Sequence, residues 1–200
     1  GEDKIVEQHW DSRLVQDVLK YFTGRERDYH LVANLQNGPH TIEGMDFPIV
    51  DRIMTEERAR EFYRQIHFLS DFQEMDKEAV IKMSIVVDEE QTSSVTQRIN
   101  QDFAGRLNAV TSGYGAIDLL PRGIHKGWGL RSLMERWKIE ADQIMAFGDS
   151  ENDLEMLELA GYSFAMEKGE EKVKRMAKYI APSNDEAGVL QVLEQYLKER

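Results

Sequence analysis

Between Trp10 and Phe22 the apolar residues Leu14, Val15, Val18, Leu19 and Phe22 recur at intervals of one, three and four, the spacing of one face of a helix. Asp11 or Ser12 is placed to cap it. His30 to Leu35 alternates loosely and reads as a strand. Gln36-Asn37-Gly38-Pro39 is a turn signal, and His40 to Glu43 reads as the returning strand of a hairpin. Thr55 to Leu69 has helical spacing, with Thr55 as cap and Glu56 and Glu57 in the first turn, where the helix dipole favours acids. Ala79 to Val87 is a β-branched, apolar strand and Gln91 to Phe103 a further helix. Arg106 to Thr111 and Ala116 to Leu120 are short strands around Ser112-Gly113-Tyr114-Gly115. The expectation for this half is a small mixed sheet with helices packed on it.

After Pro121-Arg122-Gly123 the pattern changes. Trp128 to Trp137 reads as a helix, Gln143 to Phe147 as a short apolar strand, and Glu151 to Leu159 as a helix ended by Gly161. Tyr162 to Met166 is a strand, Glu170 to Ala177 a helix, Lys178 to Ala181 a strand, and Glu186 to Leu197 the closing helix. Strands alternating with helices at this interval indicate βαβ units and a parallel sheet. The chain therefore divides into residues 1–122, an α+β unit, and residues 123–200, an α/β unit.

Composition narrows the function. The 200 residues are 41% hydrophobic and 31% charged, enough for one domain or two small ones. No apolar run approaches the ~18 residues of a membrane-spanning helix, and Gly1-Glu2-Asp3-Lys4 does not resemble a signal peptide. A cytoplasmic location is expected. The absence of cysteine excludes disulfides, thiolate zinc sites and a cysteine nucleophile. A net charge of −12 opposes nucleic acid and anionic membranes as partners, and it opposes phosphorylated substrates too. A phosphate site in such a chain needs a metal ion or a placed Lys or Arg.

One segment supplies that chemistry. Ile144-Met145-Ala146-Phe147-Gly148-Asp149-Ser150-Glu151-Asn152-Asp153 reads as strand, tight turn and helix. Ligands of open α/β sheets bind beyond the carboxyl ends of the strands, where Asp149 falls. Gly148 is expected to provide a backbone conformation that a β-carbon would resist. Ser150 can cap the next helix, with Asp153 completing a capping box. Asn152 lies in the first turn, where an anion is favoured. Magnesium takes one or two carboxylates, waters and substrate phosphate. Asp149 suits direct ligation, and Asp153 either ligates or orients a bound water. Lys126, between His125 and Gly127 at a helix start, is either a surface charge or the cation that neutralises a metal-held phosphoryl group. His125 is more simply structural. His30 and His40 are placed to face each other across the first hairpin. Asn184-Asp185 is a polar loop at the same sheet edge.

The segment from Gly123 to Leu197 resembles the C-terminal core of the haloacid dehalogenase (HAD) superfamily. More closely, it is similar to the Cof-type (class IIB, C2B cap) sugar-phosphatase subfamily. The resemblance is carried by Gly123-Ile124-His125-Lys126-Gly127, Gly148 to Asp153, Met156-Leu157, Ala160-Gly161 and Ser183 to Val189. The segment from Gly1 to Arg122 resembles that subfamily's inserted cap. The resemblance implies an α/β, HAD-like Rossmannoid parallel-sheet core, present in its C-terminal part, with an α+β C2B cap. It also implies Mg2+ as cofactor and a small phosphorylated metabolite, such as a sugar phosphate, as substrate. Lys126 would hold the phosphoryl group and the nucleophile, Asp149 would ligate the metal, Asn152 would contact the phosphate and Asp153 would support the metal shell. The implied reaction is hydrolysis of a phosphate monoester through an aspartyl-phosphate. Asn34, Gln36, His40 and Tyr114 are cap side chains from which substrate contacts could be drawn.

The family pattern also includes a strand ending in Asp-x-Asp-x-Thr, whose first Asp is the nucleophile. No residue before Trp10 supplies it, and neither Asp46 nor Asp51 follows a suitable strand. The expectation is that an N-terminal segment is missing or comes from another chain, and that these residues alone are inactive with an unpaired sheet edge. A non-catalytic metal- or phosphate-binding module, an interaction scaffold and a homo-oligomer are the alternatives.

Overall fold

The computed structural model describes residues 8–48, 50 and 54–198, and the chain forms two compact units, Gly1–Arg122 and Gly123–Arg200. In the first, helix α1 (Ser12–Phe22) starts at Asp11, whose carboxylate accepts the N–H groups of Arg13 at 2.7 Å and Leu14 at 3.3 Å. Six strands follow: β1 (Val32–Leu35), β2 (Gly38–Ile42), β3 (His67–Leu69), β4 (Val80–Val86), β5 (Leu107–Gly113) and β6 (Ala116–Pro121). Helix α2 (Glu56–Arg64) precedes β3, and α3 (Thr92–Asp102) lies between β4 and β5. The sheet order is β3-β2-β1-β4-β6-β5, antiparallel throughout except for β2 and β3.

Side chains alternate across a strand, so each strand has a core face. Ala33 and Leu35 of β1, Met83 and Ile85 of β4, and Ile117 and Leu119 of β6 bury against the predicted apolar face of α1 and against Val95 and Ile99 of α3. The intervening positions are polar: Lys82 of β4 pairs with Asp118 of β6 at 2.8 Å. Tyr21 of α1 donates to Asp102 of α3 at 2.7 Å. Burial and that carboxylate disfavour its phenolate, pushing its pKa up to about 12.

Three expectations need correction in this unit. The first hairpin turns on Gln36 and Asn37 alone, with Leu35 paired to Gly38, so Gly38 and Pro39 belong to the strand. A proline is tolerated there because β3 pairs only with His40 to Ile42, leaving Pro39 one strand neighbour. The helix expected to reach Leu69 stops at Arg64, because His67 to Leu69 instead occupy the open edge of β2 as a parallel strand. Finally, His40 does not face His30. It pairs across the hairpin with Ala33, on the core face, and its ring stacks on that of His67 with centroids 4.5 Å apart.

The second unit has the alternation its sequence predicts. Strands β7 (Met145–Gly148), β8 (Tyr162–Met166) and β9 (Tyr179–Ala181) are parallel and adjacent in that order. Helices α4 (Lys126–Trp137), α5 (Leu154–Leu159), α6 (Glu171–Met176) and α7 (Gly188–Lys198) complete it. Ala146 and Ala165 of the sheet pack with Leu157, Ala160 and Val173. Phe147, Phe164 and Tyr179 stack from strand to strand, with centroids 5.0 and 5.1 Å apart. Among the described residues β7 is an edge strand, and Tyr179, Ile180, Leu190 and Leu197 are exposed. No described helix is long and apolar enough to cross a membrane.

His40 is expected to make the stability of the first unit depend on pH. Both rings are hydrogen-bonded to the hairpin backbone: His40 Nδ1 donates to Gly38 O at the start of β2 at 3.0 Å, and His67 Nε2 to Asn37 O in the turn at 2.9 Å. Burial, reinforced by the neighbouring His67, holds His40 below the ordinary 6.5. As pH falls past that value the unfolded chain takes up the proton first, so stability declines until the folded pKa is passed. Urea unfolding is expected to show lower stability at about pH 5 than at about pH 7.5, with a shallower pH slope in His40→Asn. Equal slopes would acquit His40.

Candidate functional site

Strand β7 ends at Gly148 because the next element folds back onto it. A β-carbon there would lie 2.5 Å from Asp153 Cβ and 2.9 Å from its Oδ2. Close approach, rather than an unusual backbone conformation, is the reason for glycine. The chain then makes a 3-10 turn over Glu151–Asp153 and enters α5.

Asp153 lies at the centre of this turn, its side chain only 5% exposed. Its Oδ2 accepts the N–H groups of Asp149 at 2.9 Å and Ser150 at 3.3 Å, the latter being one half of the expected capping box. Its Oδ1 accepts Lys126 Nζ at 2.5 Å, and the same ammonium lies 3.4 Å from Asn152 Oδ1. A carboxylate so buried needs such partners, since an unpaired buried charge costs several kcal/mol.

Lys126 reaches this position as the first residue of α4. His125 caps that helix, its Nδ1 accepting the Trp128 N–H at 3.2 Å, which places the neutral ring's proton on Nε2. Gly127 allows α4 to press on α5: a β-carbon there would lie 2.7 Å from Glu155 O. The helix start is thereby fixed over the turn.

Asp149 differs from Asp153. It is exposed, beyond the carboxyl end of β7, and its Oδ1 accepts the Ser150 hydroxyl at 3.1 Å. Its carbonyl accepts the Glu170 N–H at 2.8 Å, which fixes the loop after β8 against it. Two more lysines stand nearby in the fold. Lys172 of α6 pairs with Glu151, and Lys168 of the β8 loop pairs with Asp185 at 2.5 Å. The hydrogen-bonded Asp185 raises Lys168 above its ordinary value, and Asp185 is lowered in turn.

The structure thus brings Lys126, Asn152 and Asp153 into direct contact and joins Asp149 to them through Ser150 and its own N–H. It does not bring the other candidates together. Asp46 is exposed in a loop of the first unit, and Asp51 lies outside the described residues. His40 is buried on the core face, whereas Asn34 occupies the alternate position on β1, so they do not share a surface. Sequence reasoning passed over Ser150 as a partner of Asp149, together with Glu151, Lys168 and Lys172. The signal was available for the two lysines: they follow the carboxyl end of β8 as Asp149 follows that of β7.

The donor set suits a hard, oxygen-seeking ion with few protein ligands. Asp149 has accessible carboxylate oxygens, while both Asp153 oxygens already serve N–H donors. Among the described residues no group of three or more His, Cys, Asp or Glu is gathered to hold a metal ion. That is compatible with magnesium, which keeps several waters and takes substrate phosphate, and incompatible with an all-protein cage in this part of the chain.

A parallel sheet with an aspartate turn at its carboxyl edge and a lysine clamped behind it makes the second unit an α/β fold with a polar cluster where ligands of such sheets bind. The chain belongs to the haloacid dehalogenase-like hydrolase family, whose model matches residues 1–193. It is 32% identical over 171 residues to 5-amino-6-(5-phospho-D-ribitylamino)uracil phosphatase YbjI of Escherichia coli (strain K12), covering 86% of this chain and 60% of that relative. The solved structure of SMU.1108c from Streptococcus mutans UA159 is 30% identical, with a TM-score of 0.82 over 96% of this chain and 70% of that one. The HAD subclass IIB sugar phosphatase BT4131 is 21% identical and has the same fold, with a TM-score of 0.75 over 98% of this chain and 70% of its own. This chain therefore spans 60% of the length of its E. coli relative.

The two aspartates are expected to respond differently to neutralisation. Asp153→Asn sets an amide against N–H donors in a buried position and should cost about 1–3 kcal/mol of stability. Asp149→Asn, exposed with one side-chain hydrogen bond, should stay within about 0.5 kcal/mol. Thermal unfolding of the two variants measures the difference, and equal losses would contradict the assignment of Asp153 as the buried anchor.

Proposed function

We propose that residues 123–200 are the metal- and phosphate-holding part of a magnesium-dependent phosphatase of small phosphorylated metabolites, and that residues 1–122 are its substrate-selecting cap. The observation that carries the reading is the clamp from Lys126 to the buried Asp153, which leaves Asp149 as the accessible carboxylate at the sheet edge. Family membership supports it, as does the phosphatase named among the relatives.

In this reading each residue has one task. Asp149 offers a direct ligand to magnesium, and Asp153 holds the turn that aims it. Lys126 presents an ammonium that neutralises phosphoryl oxygens; its half-exposed side chain, tethered at one end of the Asp153 carboxylate, retains donors for them. Asn152 orients Lys126 through its amide oxygen and keeps its N–H donors for phosphate. Magnesium, when bound, supplies Lewis-acid stabilisation of charge on phosphorus-bound oxygens. No Asp-x-Asp-x-Thr strand lies within this sequence, so none of its carboxylates is given the role of nucleophile.

Calorimetry with glucose 6-phosphate should detect binding to the 200-residue chain that requires magnesium and falls at least about tenfold in Asp149→Asn and Lys126→Met. With p-nitrophenyl phosphate the same chain should give negligible turnover. Magnesium-dependent turnover that survives Asp149→Asn would overturn the site assignment.

A further inference from the structure

Three lysines lie on the Asp149 turn or on elements next to it, and they are held to very different degrees. Lys126 is paired with a carboxylate 5% exposed that also accepts two backbone N–H groups, so it cannot leave without stranding a buried charge. Lys172 is paired with Glu151, whose side chain is 30% exposed. Lys168 is paired with Asp185, and both are open to solvent, at 70% and 77%. Exposed pairs of that kind contribute little to stability, so this is the pair that can change partners cheaply.

Lys168 is also well placed. A β-carbon built on the next residue, Gly169, would lie 3.0 Å from Asp149 Cα, so successive Cα spacing puts the Lys168 Cα within about 9 Å of that of Asp149. A lysine's flexible four-carbon stem spans much of that distance. Its present partner shows what it donates to: one carboxylate oxygen, Asp185 Oδ2, at 2.5 Å. In a chain of net charge −12, a lysine on the loop packed against the Asp149 backbone brings a cation next to the candidate site.

We infer that Lys168 is a specificity-determining residue that exchanges Asp185 for a carboxylate on the substrate, so that the site prefers phosphate monoesters of carboxylic acids. This rests on the phosphate site proposed above. Asp185 then acts as a competitor that keeps the lysine in place when no substrate is present. The two residues should therefore have opposite effects on binding, which a merely structural ion pair would not produce.

The probes are 3-phosphoglycerate and glycerol 3-phosphate, which differ by a carboxylate in place of a hydroxymethyl group. Calorimetry with magnesium on the 200-residue chain should show tighter binding of 3-phosphoglycerate. The affinity ratio of the two ligands should fall about fivefold in Lys168→Met and rise by up to about fivefold in Asp185→Asn, the change expected of one exposed charge pair. Ratios unchanged in both variants, or moved in the same direction, overturn the inference while leaving the phosphate site standing. Failure of the parent chain to bind either ester overturns both, and loss of both ligands in Lys126→Met separates the phosphate site from the selectivity position.

Discussion

A single buried carboxylate organises the candidate site. Asp153 receives two backbone N–H groups from the turn that precedes it and an ammonium from a helix 27 residues earlier in sequence. Three donors offset the desolvation of one charge, and in doing so they tie β7, its turn and the start of α4 together. Everything that distinguishes Asp149 follows from this. Its backbone is held, so its carboxylate can remain exposed without the turn losing its shape. Gly148 and Gly127 serve the same contact, since a β-carbon at either would separate the parts that Asp153 joins.

The charge distribution has a similar logic. Carboxylates predominate in the chain as a whole, yet Lys126, Lys168 and Lys172 all pair with acids on elements at or next to the carboxyl edge of the parallel sheet. Each lysine is neutralised by one acid, and the pairs differ mainly in burial. Burial sets how firmly each cation is held: Lys126 is fixed by a buried carboxylate, whereas Lys168 shares an exposed pair. Net charge alone would have suggested a surface hostile to phosphate esters. Locally, three lysines gather at one edge of one sheet, each beside an acid.

In the first unit the sheet separates an apolar face, covered by α1 and α3, from a face carrying Lys82 and Asp118. The hairpin between β1 and β2 shows how small changes of register alter chemistry. Because the turn takes two residues, His40 falls on the core face opposite Ala33 and meets His67 from a strand that local spacing assigns to a helix. A residue open to substrate in one register is a buried, proton-sensitive group in the other.

Amino-acid order alone determined a good deal here. The apolar period of Leu14, Val15, Val18, Leu19 and Phe22 specified α1 and its buried face, and the βαβ alternation after Gly123 specified the parallel sheet. The run Gly148 to Asp153 with Lys126 pointed to a cluster whose side chains do meet, because helix, strand and turn signals, like short motifs, are written in neighbouring residues. Tertiary structure decided the rest. It turned His67 to Leu69 into a strand, since an open edge of β2 offered hydrogen bonds that the helix end lacked. It moved His40 to the core, made space rather than backbone conformation the reason for Gly148, and divided the labour between Asp149 and Asp153 by burying one and exposing the other. It also brought Lys168 to Asp185 and Lys172 to Glu151. Each of these depends on which distant residues meet, and neither a hydrophobic period nor a motif records that.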